Sequence, residues 1–96
     1  MTRLWVRMIK HHRVQKQETP ECTWENIGET LTEVCRTWDV PRPIWLGKHE
    51  REMNDFRRTA FTAEHFMEEI PFDRLEIEFL EDLDAPRQSK DPRNAF

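Results

Sequence analysis

RLWVRMIK (residues 3–10) and FDRLEIEFLE (residues 72–81) decide the fold. In the first run Leu4, Val6 and Met8 alternate with Trp5, Arg7 and Ile9; in the second, Leu75, Ile77 and Phe79 alternate with Arg74, Glu76, Glu78 and Leu80. Successive strand side chains point to opposite faces, so a period of two rich in β-branched and aromatic residues predicts two half-buried strands. Laid side by side, the runs put Leu4, Val6, Met8, Leu75, Ile77 and Phe79 on one apolar face. The other face then shows Arg3, Trp5, Arg7 and Ile9 against Glu76, Glu78 and Leu80, with opposite charges in cross-strand reach.

Outward from the first strand, residues 11–21 keep only Val14 as an apolar residue among polar ones. This predicts a polar edge strand folded back on the first through a pivot near His11 and His12, with Pro20 ending it. Thr23 stands as an N-cap before Trp24, Ile27, Leu31, Val34, Cys35 and Trp38, whose spacing makes one helical stripe; Glu25, Glu29, Thr32, Glu33 and Arg36 fall opposite, and Pro41 stops the helix. Pro41-Arg42-Pro43 must be extended, and Ile44, Trp45 and Leu46 follow as a short apolar patch. After Gly47 a second helix is predicted, with His49, Met53, Phe56 and Ala60 on one face. Thr62 caps a further short turn that Pro71 closes.

The order β-β-α-α-β predicts an α+β fold: a small antiparallel sheet of about three strands with two to three helices packed on one face. Residues 1–82 form one domain on this reading, and 83–96, polar and punctuated by proline, form a flexible tail. Ninety-six residues leave no room for a second core, and a hydrophobic share of 36% makes the four Trp and six Phe carry much of the buried area. No run approaches the roughly 20 apolar residues of a membrane helix, and the start lacks a secretory apolar segment. The expected location is the cytoplasm, with Cys22 and Cys35 reduced.

The net charge of −4 is unevenly spread. Residues 1–16 carry five bases and no acid, whereas residues 63–84 carry nine acids against Arg74. Such a split can serve a partner through a polarised field, or it can be neutralised internally between neighbouring strands, which is the simpler reading.

Motifs for chemistry are weak. His11, His12, His49 and His65 have no zinc spacing, and HEREM from His49 has the first half of a metalloprotease helix but Met53 at the second ligand position. Glu76 and Glu78 share a face about 7 Å apart, yet so short a chain offers little concave surface to exclude water around them. Glu21 beside Cys22 disfavours a thiolate, Cys35 lies on the apolar stripe, and two glycines cannot cradle a phosphate. Direct nucleic-acid binding by the basic start, with Trp5 interleaved, is opposed by the overall acidity. No cofactor or metal is expected.

The leading expectation is therefore a non-enzymatic protein-binding module (adaptor, regulator or inhibitor) using a semi-apolar sheet face, with Trp5, Arg7, Ile9, Glu76, Glu78 and Leu80 as contact residues. Trp45 joins them because prolines prepay the ordering of its loop and Trp is a frequent hot spot. One alternative is an acidic mimic of nucleic acid that occupies a nucleic-acid-binding enzyme, an analogy in size and charge alone with small acidic phage inhibitors such as some anti-CRISPR proteins. A metal- or carboxylate-dependent enzyme is a second alternative. If the last strand lies at the sheet edge, two copies could pair there, although Glu76 and Glu78 would repel their own copies; a monomer or weak dimer follows.

Overall fold

The first alternating run forms β1 (Thr2–Lys10) and the second forms β4 (Arg74–Glu81), and the two pair antiparallel from Thr2 opposite Glu81 to Ile9 opposite Arg74. Their inward residues Leu4, Val6, Leu75 and Ile77 are wholly buried, with Met8 and Phe79 nearly so. In this computed structural model, which describes residues 2–81, the predicted tail lies outside the described residues. No helix among the described residues is long and apolar enough to cross a membrane.

The polar segment after β1 becomes β2 (Arg13–Glu18), antiparallel to β1 and exposed along its whole length. Pairing continues past it, since Pro20 keeps a carbonyl that accepts from the Leu4 N–H even though it has no donor of its own. His11 and His12 turn the chain with φ of 55° and 64°. Positive φ at both central positions marks a type I′ two-residue hairpin, normally supplied by Asn-Gly, so two histidines hold this turn at a strain cost. Asp73 pins it by accepting from the His11 N–H at 2.8 Å. The double substitution His11→Asn, His12→Gly is expected to raise the unfolding free energy by about 1 kcal/mol, read from urea titration; no gain would show that the turn is relaxed.

Thr23 opens a short 3-10 turn (Trp24–Asn26) that leads into α1 (Ile27–Thr37). Five residues of the predicted stripe, Ile27, Leu31, Val34, Cys35 and Trp38, are buried on the sheet; Trp24, outside the regular helix, remains 37% exposed and meets the Phe79 ring edge-on at 5.2 Å. The helix stops before Pro41 is reached. Asp39 adopts φ 58°, while the Asp39 N–H bonds the Arg36 carbonyl and the Val40 N–H that of Cys35, the paired bonds of a Schellman end.

α2 (Gly47–Phe56) is shorter than the spacing predicts. Arg57 takes φ 62° and donates its N–H to the Met53 carbonyl, ending the helix with a left-handed residue. Ala60, expected on the helix face, lies instead in a fourth strand, β3 (Arg58–Thr62), and Phe56 is exposed rather than buried. β3 pairs antiparallel with β4, so the sheet order is β2-β1-β4-β3. The fold is α+β with a four-stranded antiparallel sheet and two helices, one strand more than expected.

This order also corrects the placement of the last strand. β4 is internal, flanked by β1 and β3, so its backbone is paired on both sides and the dimer expected through its edge has no edge to use. The core between sheet and helices is completed by Cys22, Met53, Phe61, Phe66 and Phe72.

Candidate interaction groove

Six of the seven predicted contact residues belong to the two central strands. β1–β4 register sets Trp5 opposite Glu78, Arg7 opposite Glu76 and Arg3 opposite Leu80. Arg7 is the hub: its Nε lies 3.2 Å from Glu76 Oε1 and an Nη 3.6 Å from Glu78 Oε1, while its guanidinium sits 4.1 Å over the Trp5 ring. Trp5 Nε1–H donates to Gln17 of β2 at 2.9 Å, and Arg74 Nε reaches the other Glu76 oxygen at 2.6 Å. The side chains of Arg7, Glu76 and Glu78 are only 18%, 25% and 30% exposed. The face therefore holds its charge in an internal lattice.

Ile9, expected uncovered on this face, is 5% exposed. The β1–β2 register shifts between Met8 and Ile9, so Val14 stands opposite Ile9 on one side and Arg74 on the other, and the Asp73 N–H bonds the Ile9 carbonyl. The irregular register at this strand end, between Val14 and Arg74, accompanies the burial of Ile9 and removes it from any contact surface. Leu80 and Trp5 remain half-buried.

Trp45 lies in the other layer. Its ring meets Phe61 edge-on at 5.1 Å and His49 at 6.3 Å, so one side anchors in the core while the other borders open space. On one flank is a hollow of about 670 Å³ lined by Leu31, Thr32, Pro41, Pro43, Ile44 and Met67, with Glu29, Arg42 and Glu68 at its rim. On the other is one of about 360 Å³, lined by Trp24, Ile27, Met53 and Asn54 with Glu25 and Glu50. Trp45 and Gly28 line both, making one groove divided by an indole ridge. Ile44 is 40% and Met67 85% exposed, large apolar surface for a chain this small.

Gly28 lies in the first turn of α1, where glycine costs stability relative to alanine. Packing does not demand it: a Cβ built there meets no atom within 4 Å. Gly28 lines both hollows, beside Trp45. Gly28→Ala should raise stability by about 0.5–1 kcal/mol, checked by chemical denaturation; a loss would show that the backbone there requires glycine.

Cys22 and Cys35 are buried free thiols, Cys35 pushed up to about 11 by burial and Cys22 raised for the same reason, partly offset by a hydrogen bond with Thr30. Thiols so placed resist ionisation. Among the described residues no three His, Cys, Asp or Glu side chains converge as a metal site.

His49 and His65, far apart in sequence, meet edge-on with ring centroids 4.5 Å apart. Each holds the third position after a cap: His49 Nδ1 accepts from the Leu46 N–H at 3.0 Å, and His65 Nδ1 from the Thr62 N–H at 3.0 Å. Asn26 does the same for the Thr23 N–H at 2.9 Å. The shared spacing of Thr23 to Asn26 and Thr62 to His65 was readable in the sequence as half of a capping box. Nothing in it told that the two rings would touch, or that residues 28, 45 and 67 would border one groove. Comparison with known protein families, with curated proteins and with solved structures gives no match.

Proposed function

We propose that this protein is a non-enzymatic protein-binding module whose contact surface is the Trp45 groove, and that it takes an apolar segment carrying basic residues. The observation that carries this reading is the pair of hollows flanking Trp45, bordered by the exposed Ile44 and Met67 and both lined by Gly28, a stability cost in a helix that packing does not require. Local rules are broken without structural need chiefly where function asks for it. Among the described residues four carboxylates, Glu25, Glu29, Glu50 and Glu68, border the apolar lining against one cation, Arg42, which favours a basic segment over an acidic one.

The sheet-face version of this reading has less behind it, because Arg7 is already paired with Glu76 and Glu78. The same pairing weakens the nucleic-acid-mimic alternative, whose acids need to be free to meet a cationic groove.

Site-specific photo-crosslinking in the native host tests the proposal. A crosslinker at Met67 should give one discrete protein adduct that is lost with Gly28→Trp and weakened about tenfold by Glu29→Arg with Glu68→Arg, whereas a crosslinker at Lys16 on β2 should give none. Equal adducts from both positions, or an adduct indifferent to filling the groove, would overturn it.

A further inference from the structure

The segment that carries Trp45 is held at both ends by the histidine pair. The Ile44 N–H donates to the His65 carbonyl at 2.7 Å, and the Leu46 N–H to His49 Nδ1 at 3.0 Å. His49 is wholly buried, and no well-aligned hydrogen bond reaches its Nε2, although the Ala60 backbone lies close enough to favour the charged ring. Its ring packs on Phe61 at 4.3 Å. The bond to Leu46 exists only while Nδ1 keeps a lone pair, because an imidazolium is a donor at both nitrogens.

We infer that His49 is a proton-operated clamp: in its neutral form it caps α2 and holds the Leu46 end of the segment that carries Trp45, and on taking up a proton it releases that end while Ile44 stays bound to the His65 carbonyl. The protonated ring would face the Leu46 N–H with a second N–H, at the positive end of α2, 4.5 Å from the His65 ring. The charged groups around it are Lys48 and Glu52 on its own helix and His65 on the neighbouring turn; β3 presents the Ala60 backbone. Burial first, then His65 and Lys48, lower its pKa from the ordinary 6.5, while the Ala60 backbone and Glu52 oppose this only in part. The sign follows. A released His49 regains its ordinary pKa, so the clamp is closed above about 6.5 and is progressively lost as pH falls from there towards the lower value of the closed state.

The consequence for partner capture, a grip that loosens in acid, rests on the groove reading above; the release itself does not. The test uses the full chain alone. In NMR spectra from pH 7.5 downward, the open-to-closed ratio of the clamp, read from Leu46 amide exchange corrected for its intrinsic pH dependence and from the Trp45 indole shift, should rise by up to tenfold per pH unit below about 6.5. The amides of Leu4, Val6 and Ile77 should remain protected meanwhile. His49→Gln, which offers an unprotonatable acceptor at the same capping position, should keep the Leu46 amide protected throughout. An unchanged Leu46 amide in the wild type, loss of the β1 and β4 amides at the same pH, or an equal acid response in His49→Gln would each overturn the inference. The wild-type series decides even if the variant folds poorly, and crosslinking at pH 7.5 fails or succeeds independently.

Discussion

Phe61→Ala is expected to destabilise the protein by about 3–5 kcal/mol, the range for removing a fully buried phenylalanine. The side chain is wholly buried and is the largest to be so. It stands opposite Leu75 in the β3–β4 register and touches Trp45 and His49, so its loss opens a cavity where sheet, groove ridge and histidine pair meet. A domain of this size has a total stability of about 5–15 kcal/mol, and each kcal/mol shifts its melting temperature by about 4–8 °C. The melting temperature should therefore fall by on the order of 20 °C, with Phe61→Leu costing far less because most of the volume is kept. The experiment also tests the fourth strand. Had the second helix run on through Ala60, Phe61 would sit beyond its end with little to fill, and a melting temperature within a few degrees of wild type would return the fold to three strands.

Arg7→Ala should cost about 2 kcal/mol, the second largest single effect, by leaving Glu78 half-buried without its partner and Glu76 held by Arg74 alone. Partial exposure keeps this below the cost of breaking a fully buried pair. Trp5 would also lose the guanidinium that covers its ring. Arg7→Leu combined with Glu76→Leu should recover most of the loss, because an apolar pair of similar size needs no desolvation of charge. Urea denaturation of the single and double variants checks both statements. If Arg7→Ala proves neutral, the charge lattice is ordinary solvated surface and the sheet face returns as a candidate contact surface.

Both predictions depend on pairings that differ in how visible they were beforehand. The Arg7 lattice follows from two alternating runs: once β1 and β4 are antiparallel neighbours with their apolar residues on one side, the excess bases of the first run must face the excess acids of the second. The stripe of α1 was visible for the same reason, since its periodicity is a local property written in consecutive residues. β3 was not. Arg58–Thr62 is five residues with one large apolar side chain, and the helix before it ends at an arginine in the left-handed conformation, where a glycine would have announced the stop. What makes these residues a strand is the free edge of β4 beside them, a partner lying twelve or more residues away.

The sequence by itself thus determined the α+β class, the inward apolar faces of β1 and β4, the buried stripe of α1 and the cross-strand reach of Arg7 to Glu76 and Glu78, because each is set by side-chain period and by contacts among a few residues. Tertiary structure alone decided that β4 is internal, that Ile9 is covered, that His49 and His65 face each other, and that Gly28, Trp45 and Met67 border one groove. These last features join residues whose separation along the chain carries no periodic signal. They exist only once the hydrophobic drive to cover one sheet face has brought α1, the proline-bound loop and the turn after β3 against the same core.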